Sequence, residues 1–484
     1  MQDQIFGGDI LKKIDMIIKA PHIYSMEGDG VGYRENCALA IDAGKIIAID
    51  RVEEVEREYT AEELIEMKHH AIFPGLIDAH MHTGWAIMRG LAQDTNNWMM
   101  YGLQPFNNVM TDADNLAGSK LAIIEAIKAG TTTLGDFDRN MEPVADFIYK
   151  VGARGNLTTM IREAKWKTYK PGELYEYEEA LGKRTFEDNL YLYDKWHNRD
   201  NGRIKVLFGP QGPDFLSQEL LLKIKSAARE RNTKIHMHTQ QGDRETYQVI
   251  KRYGKRPIEW LGEIGYLDGD LIAVHLTDAS DDEAKLVARS GASMILCPGS
   301  IAIIDGIVPP SHAFQEAGGN VALGSDQAPG NNCHNIINEM KLAALFNKIK
   351  YANPEIMPAW RALRMATIEG ARAIGIGDSV GSLEVGKCAD LIAIDLNKPS
   401  MLPVYTNPMR NMVPNLVYSA RGDEVALSIV NGKVIYKDGK ILNIDEDKII
   451  SSISDYPDKI GKKASEEFYS INGTNAKFMR EGKL

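Results

Sequence analysis

Short runs of apolar residues mark both ends of the chain as β-structure. Residues 14–50 contain three such runs, separated by turn residues. The pattern returns at 390–394 and again at 426–436, where Asn431-Gly432 interrupts the apolar residues. Asn-Gly between two apolar runs favours a tight β-hairpin. We therefore predict a small β-sandwich that is built from both chain ends and interrupted by the long segment between them.

Between these ends, strand-like runs alternate with helical stretches, which are clearest at 113–129, 216–231 and 281–290. Eight strand–helix repeats predict an α/β fold, a (β/α)8 TIM-like barrel. The predicted barrel strands are 71–78, 131–137, 155–162, 203–209, 233–238, 271–275, 292–297 and 320–325. The predicted domains are 1–73 (first part of the β-sandwich), 74–378 (barrel), 379–444 (second part of the β-sandwich) and 445–484 (peripheral helix and tail).

One segment of the predicted barrel is longer than a strand–helix connection requires. Residues 163–200 form an insertion that is rich in Tyr, Glu and Lys. Loops that follow barrel strands carry function, so the insertion fits a lid over the barrel mouth. A solvated helical excursion has the same composition, and both interpretations stay open at this point.

Composition excludes several classes of protein. The chain has 484 residues, of which 44% are hydrophobic and 25% charged, as in an ordinary globular protein. A net charge of −11 argues against nucleic acid or an anionic membrane as a partner. The N-terminus lacks the pattern of a signal peptide, and no apolar stretch is long enough to span a membrane. The four cysteines are far apart, which indicates a reducing, cytoplasmic location.

The first candidate for chemistry is the pair His80 and His82, which ends the first predicted barrel strand. Side chains at i and i+2 on a strand point to the same side. Two imidazoles in this arrangement supply half of a site for zinc or Fe(II). An accidental histidine pair in a loop is the alternative, so the other ligands must come from elsewhere in the chain.

Three further strands end in residues that bind metals. His238 ends the fifth predicted strand, His275 the sixth and Asp326 the eighth. The C-terminal ends of barrel strands meet at one mouth, so these side chains should converge with His80 and His82. Neutral imidazoles with a carboxylate bind one divalent ion, zinc before iron, and leave a position for water. His275 and Asp326 would then assist the attack of that water.

The remaining histidines have weaker claims to a functional role. His236 faces the same side as His238, and we predict a structural or supporting role or a substrate contact for it. Five others are predicted to be surface or core residues: His69, His70, His197, His312 and His334.

The motifs that carry these residues resemble the amidohydrolase superfamily. The run 74–82, followed by Arg89-Gly90, Asp94 and Trp98, is similar to the branch that contains cytosine, guanine and adenosine-derivative deaminases and s-triazine hydrolases. Later blocks of the same pattern lie at 297–300, 324–332 and 381–391. The resemblance implies that one metal ion is bound by His80, His82, His238 and Asp326. It also implies that His275 orients the water and that the protein is a homo-oligomer.

Three positions depart from the pattern of the deaminases. Gln241 stands where they carry the glutamate of a His-x-x-Glu signature, and an amide cannot transfer a proton near neutral pH. Asp243 and Glu245, in the following turn, are the candidates to supply that acid instead. Gln211 replaces a histidine after the fourth strand, as in cytosine deaminases. Asn107 replaces the acid that holds ribose hydroxyls in nucleoside-derivative deaminases.

These departures lead to a first hypothesis about the substrate. We predict a metal-dependent hydrolytic deaminase that releases ammonia from a small cyclic amidine or guanidine, such as creatinine or a cytosine-like ring. His275, Asp326 and Gln241 would be catalytic. Predicted substrate contacts are Gln211, Trp98, Asn107 and His236. The alternatives are a hydrolase of another C–N, amide or C–Cl bond on a heterocycle, a nucleoside-derivative deaminase, and a metal-binding scaffold without activity.

Overall fold

The computed structural model describes residues 11–167, 169–170 and 172–484. The signal-peptide prediction concerns residues 1–10, which lie outside this part of the chain. The strands in the described residues are β1 Lys12–Tyr24, β2 Tyr33–Asp42, β3 Lys45–Arg51, β4 Tyr59–Glu66, β5 His70–Pro74, β6 Leu76–His82, β7 Thr131–Asp138, β8 Arg154–Ile161, β9 Ile204–Pro210, β10 Ile235–Thr239, β11 Leu271–His275, β12 Ser293–Leu296, β13 Val321–Leu323, β14 Asp326–Gln327, β15 Leu391–Asp395, β16 Val425–Val430, β17 Lys433–Lys437 and β18 Lys440–Ile441.

Helices connect and cover these strands. They are α1 Val52–Glu58, α2 Gln104–Asn107, α3 Asp112–Lys128, α4 Glu142–Val151, α5 Glu179–Trp196, α6 Arg199–Gly202, α7 Gln218–Glu230, α8 Gly242–Tyr253, α9 Pro257–Glu263, α10 Asp281–Arg289, α11 Pro298–Ile304, α12 Ser311–Glu316, α13 Ala328–Asn331, α14 Ile336–Lys350, α15 Ala359–Met365, α16 Ile368–Ala373, α17 Met412–Tyr418, α18 Glu446–Ser451, α19 Tyr456–Ile471 and α20 Thr474–Arg480. A 3₁₀ helix at Thr83–Met88 and a π-helix at Met99–Leu103 precede α2. No helix among the described residues has the length and apolar character that crossing a membrane requires.

The central sheet is a closed parallel barrel. Strands β6 to β13 pair in chain order, and β14 pairs with β6. β13 and β14 are two pieces of the eighth barrel strand, so that strand joins the seventh strand through β13 and the first through β14. Some helices begin with sequence-encoded caps, such as the capping box that Thr111 and Asp114 form at α3. The barrel prediction is confirmed.

The second sheet draws its strands from both chain ends. Its order is β18-β17-β16-β15-β5-β1-β2-β3, and β4 pairs with β1 beside β5. β1 pairs with β4 along its first half and with β5 at its end, so the sheet branches at β1. The two branches surround one apolar cluster. That cluster contains Ile18, Leu39, Leu391 and Leu427 from the two ends of the chain. The prediction that both ends form one β-unit is therefore confirmed, while the domain boundaries themselves stay predictions.

Three stretches differ in detail from their predicted form. The run 71–78 is two strands, because the chain passes from one sheet to the other at Gly75. A Cβ at Gly75 would lie 2.0 Å from Thr132 Oγ1, so this close passage requires glycine. The segment 163–200 combines an irregular loop with α5, an ordinary barrel helix between β8 and β9. Residues 445–484 fold into α18, α19 and α20.

Candidate metal centre and active site

The barrel mouth brings five predicted side chains together. His80 and His82 come from β6, His238 from β10, His275 from β11 and Asp326 from β14, and all five are buried. Ligand atoms of His80, His82 and His238 lie within 4.8 Å of one another. The same holds for His80, His275 and Asp326. Parallel strands that end at one edge therefore place residues from four parts of the chain around one point.

Hydrogen bonds to backbone carbonyls determine the protonation of two of these imidazoles. Nδ1 of His82 donates to the carbonyl oxygen of Phe137 at 2.5 Å, and Nδ1 of His238 donates to that of Gln211 at 2.6 Å. A carbonyl only accepts, so each Nδ1 carries the proton and each Nε2 presents a lone pair. The two Nε2 atoms lie 3.2 Å apart. Tetrahedral zinc with Zn–N bonds of about 2.05 Å separates two ligand nitrogens by about 3.3 Å, so this pair fits a shared cation.

His80 completes the same cluster, and His236 lies behind it. Nδ1 of His80 is 2.9 Å from Nε2 of His236, whose Nδ1 is 3.3 Å from Thr158 Oγ1. Protein groups therefore engage both ring nitrogens of His236, which places it in a supporting position behind His80. Nε2 of His80 is buried without a hydrogen-bond partner among the described residues, and it lies 3.7 Å from Asp326 Oδ1. An orphaned imidazole nitrogen beside a carboxylate is a ready metal ligand.

Asp326 and His275 occupy strained backbone positions at the mouth. Their φ angles are 59° and 79°, in the left-handed region that non-glycine residues rarely adopt. Asp326 Oδ1 lies 3.5 Å from His82 Nε2, and its Oδ2 accepts from Ser300 Oγ at 2.6 Å. Within the described residues, neither ring nitrogen of His275 has a partner. His275 is thus free to bind a water or a substrate oxygen.

Burial keeps the imidazoles of the cluster neutral. It lowers the pKa of His82 to about 4 and the pKa values of His236 and His275 to about 3. Burial also lowers the pKa of His80 and His238. Removal from water disfavours the imidazolium, and neighbouring imidazoles add to the effect. Neutral imidazole is the form that binds a metal, so the donor set fits a divalent cation.

The side-chain amide of Gln211 is oriented by an arginine. Its Oε1 accepts from Arg162 at 2.9 Å, and the Arg162 guanidinium packs 4.0 Å from the Trp166 ring centre and 4.5 Å from that of Phe215. Because arginine has only donors, the atom that faces it must be the amide oxygen. The NH₂ group of Gln211 is therefore the end left for another partner.

Gln241 is oriented in the same way. Its Oε1 accepts from Arg244 at 3.3 Å, and Arg244 is paired with the buried carboxylate of Asp214. Glu245, one of the two candidates to replace the missing acid, accepts from the backbone N–H groups of Gln240 and Gln241 at 2.7 and 2.9 Å. It therefore caps α8 and is not a free proton donor, while Asp243 is exposed.

The other predicted substrate contacts lie in the segment that follows β6. Trp98 is buried in an apolar cluster with Leu103 and Phe106. Asn107 Oδ1 accepts from Arg139 at 3.2 Å. The sequence did not identify Arg162 and Arg244 as the residues that orient the two glutamines. Arg162 follows the end of β8, so a search of strand ends for charged residues of every type would have found it.

Comparison with known proteins assigns the family. Residues 71–435, most of the chain, match the amidohydrolase family. The chain belongs to the amidohydrolase family. It is 31% identical over 438 residues to a 5'-deoxyadenosine deaminase of Methanosarcina mazei, covering 90% of this chain and 96% of that protein. It is 32% identical over 442 residues to a 5-methylthioadenosine/S-adenosylhomocysteine deaminase of Thermoanaerobacter pseudethanolicus, covering 91% and 98%.

Solved structures show the same amidohydrolase fold. An adenosine deaminase from Xanthomonas campestris with bound zinc superposes with a TM-score of 0.85 at 26% identity, covering 94% of this chain and all of that one. An atrazine chlorohydrolase from Arthrobacter aurescens in complex with zinc has a TM-score of 0.80 at 19% identity, covering 91% and 99%. At that identity the second likeness concerns the fold alone. The resemblance to the amidohydrolase superfamily and the prediction of a metal-dependent amidohydrolase are confirmed.

Proposed function

We propose that this amidohydrolase removes the 6-amino group from the adenine base of a 5'-deoxyadenosine-type or 5'-methylthioadenosine-type nucleoside. Water replaces the amino group, so the products are the 6-oxopurine nucleoside and ammonia. The observation that carries the proposal is the match over 90% or more of the chain to deaminases of these nucleosides. It favours the nucleoside alternative over the creatinine-like or cytosine-like ring that the departures had suggested, since neither reported relative is named for a creatinine or cytosine substrate.

The orientation of the two glutamines supports a purine ring. Each amide oxygen accepts a hydrogen bond from an arginine, so the NH₂ groups of Gln211 and Gln241 are the ends that can donate to a ligand. Adenine carries unprotonated ring nitrogens, which are acceptors and match those donors. The same reasoning applies to Asn107, whose oxygen is held by Arg139 and whose NH₂ group can donate to a ribose hydroxyl oxygen. The replacement of an acid by Asn107 is therefore compatible with a nucleoside.

The proposed metal ligands are His80, His82, His238 and Asp326, with zinc as the proposed ion. When bound, a divalent ion lowers the pKa of a coordinated water and so supplies the nucleophile. Zinc is present in the two related solved structures, which supports its choice.

The protein's own groups would manage protons and charge. Asp326 Oδ1 lies 3.5 Å from His82 Nε2 and 3.7 Å from His80 Nε2, where it can take a proton from the attacking water and return it to the leaving amine. His275 has both ring nitrogens free within the described residues and can donate to the oxygen that adds to the ring. Gln241 would hold a ring nitrogen by a hydrogen bond without transferring a proton.

Ammonia release from a defined panel tests this function. The panel is 5'-deoxyadenosine, 5'-methylthioadenosine, S-adenosylhomocysteine and adenosine, with creatinine and cytosine as the opposing arm. We expect ammonia, and a change in purine absorbance, from at least one nucleoside and neither small ring. Asp326→Asn should abolish the signal while the protein stays folded. The proposal is refuted if only creatinine or cytosine releases ammonia, or if no compound of the panel does.

A further inference from the structure

The segment that follows the first two metal ligands covers one side of the barrel mouth. We call residues 83–110 the roof segment. It leaves β6 directly after His82, and the Trp85 ring lies 5.0 Å from the His82 ring with an interplanar angle of 24°. The N–H of Gly90 donates to Asn332 Oδ1 at 2.8 Å, in the loop that follows β14. With Asn107 bound to Arg139 after β7, the roof segment contacts loops on both sides of β6.

The roof segment has little regular structure of its own. Its backbone passes through a 3₁₀ helix, left-handed Asp94 and Asn97 (φ 58° and 51°), a π-helix and the four-residue α2. Short irregular elements gain little from repeated backbone hydrogen bonds, so their position depends on tertiary contacts. Contacts with other parts of the chain must therefore hold the roof segment in place.

Helices α19 and α20 pack on the outer face of the roof segment. Asn475 Nδ2 donates to the carbonyl oxygens of Gln93 and Leu91 at 2.6 and 3.3 Å, and so satisfies backbone groups in its irregular part. Asn108 Nδ2 donates to both carboxylate oxygens of Glu467 at 2.9 and 3.0 Å. These bonds anchor the segment to the helix pair in its interior and near its C-terminal end.

Apolar packing joins the same two parts of the chain. The rings of Phe106 and Phe468 lie 5.5 Å apart. One buried cluster contains Met88, Ala92, Trp98, Leu103 and Phe106 from the roof segment and Ile460, Ala464, Phe468 and Ala476 from the helix pair. Trp98, a predicted substrate contact, therefore lies in an apolar layer that packs against α19 and α20.

We propose that α19 and α20 determine substrate selection by fixing the roof segment over the mouth. The inference rests on the proposed nucleoside deaminase, because it assigns the roof segment to the ribose and 5' side of that substrate through Asn107 and Trp98. The helix pair lies beyond residue 435, where the match to the amidohydrolase family ends. Its role is thus one of positioning, separate from the proposed metal ligands, which lie within the matched residues.

Two substitutions test the role of the helix pair. Phe468→Ala removes the ring that packs on Phe106, and Asn475→Ala removes the donor to the two roof carbonyls. Displacement of a substrate-binding layer by about 1 Å can cost up to roughly 100-fold in efficiency, so we expect the KM for the best nucleoside to rise about tenfold or more. The kcat and the metal content should stay within about twofold, because the ligands lie on barrel strands. Lys463→Ala, on the exposed face of α19, is the matched control and should behave as the wild type.

The contradicting results are equally definite. An unchanged KM in both folded variants refutes positioning by the helix pair, and joint loss of kcat, metal and stability shows a structural role only. If Phe468→Ala does not fold, Phe468→Leu carries the same test with a smaller loss of packing. Amide hydrogen exchange of residues 88–110 separates this inference from the proposed function. It should accelerate in Asn475→Ala even if no nucleoside is a substrate, and unchanged exchange refutes the contact.

Discussion

At the residue scale, the chemistry of the mouth depends on which atom of each side chain its neighbours already occupy. Backbone carbonyls take Nδ1 of His82 and His238, and this leaves their Nε2 lone pairs 3.2 Å apart. Arginines take the amide oxygens of Gln211 and Gln241. The two imidazoles therefore present Nε2 lone pairs suited to a metal, and the two amides keep their NH₂ groups for a further partner.

Gln241→Glu tests the donor role. A carboxylate would keep the contact with Arg244 but would present an acceptor to the ring nitrogen. An unpaired, repelled acceptor costs about 1–3 kcal/mol, so kcat/KM at pH 8 should fall roughly 10-fold to 100-fold. The difference in kcat/KM between Gln241→Glu and the wild type should become smaller as the pH falls, because the protonated carboxyl group is again a hydrogen-bond donor. Steady-state kinetics on the best nucleoside measures the effect.

The control for this substitution is Gln218→Glu, the same change at an exposed position in α7. Its kcat/KM should equal that of the wild type. A higher kcat/KM for Gln241→Glu on the native substrate would contradict the donor role and would show that the enzyme lacks an acid at this position.

At the scale of elements, one buried ion pair joins the barrel to the second sheet. Arg154, at the start of β8, donates to both carboxylate oxygens of Asp390 at 2.7 and 2.9 Å, and both side chains are buried. Asp390 directly precedes β15, and its Oδ1 also accepts from the N–H of Asn431 in the predicted hairpin turn. The pair therefore connects three elements that the sequence separates widely.

Arg154→Ala should destabilise the protein by about 3–5 kcal/mol, because it leaves a buried carboxylate without its charge partner. The activity of the folded fraction should not change, since Arg154 lies at the N-terminal end of β8, away from the mouth. Urea unfolding followed by circular dichroism measures the free energy. Lys12→Ala, which removes an exposed partner of Asp42, should cost less than about 1 kcal/mol. Equal effects of the two changes would contradict the role of the buried pair.

Most elements were predictable because their pattern is local. Alternating and continuous apolar runs identified the barrel strands and the Asn431-Gly432 hairpin. The split of 71–78 at Gly75 was not predictable, because the passage from one sheet to the other and the close approach of Thr132 to Gly75 exist only in the folded chain. The division of the eighth strand into β13 and β14 likewise follows from barrel closure.

At the scale of the whole molecule, we expect the metal ion to stabilise the folded protein as well as to support catalysis. Without it, the facing Nε2 atoms of His82 and His238 and the nearby carboxylate of Asp326 have no shared cation. Binding to the native state alone stabilises by about 4 kcal/mol at a free concentration 1,000 times Kd. We expect chelation to abolish activity and to lower the Tm by several degrees, and zinc to restore both.

Differential scanning fluorimetry with and without chelator measures this shift, with elemental analysis of the metal. The variant His69→Gln, altered at an exposed histidine, should keep its metal and serves as the control. A Tm that does not respond to metal removal would contradict the assignment of a buried site. The homo-oligomer and the cytoplasmic location stay predictions.

The sequence by itself determined the barrel, the β-unit made from both ends, and the candidate ligands. Each candidate ligand lies at the end of a parallel strand or directly beside it. Closure of a parallel barrel brings these strand ends together, independently of the conformation of the loops. Only the tertiary structure decided the orientation of Gln211 and Gln241, the place of His236 behind His80, and the covering of the roof segment by α19 and α20. These depend on contacts between distant residues, with Arg162 and Gln211 separated by 49 positions and Asn108 and Glu467 by 359. The physical reason is that strand periodicity is a local property, whereas a hydrogen-bond partner is chosen by folding in three dimensions.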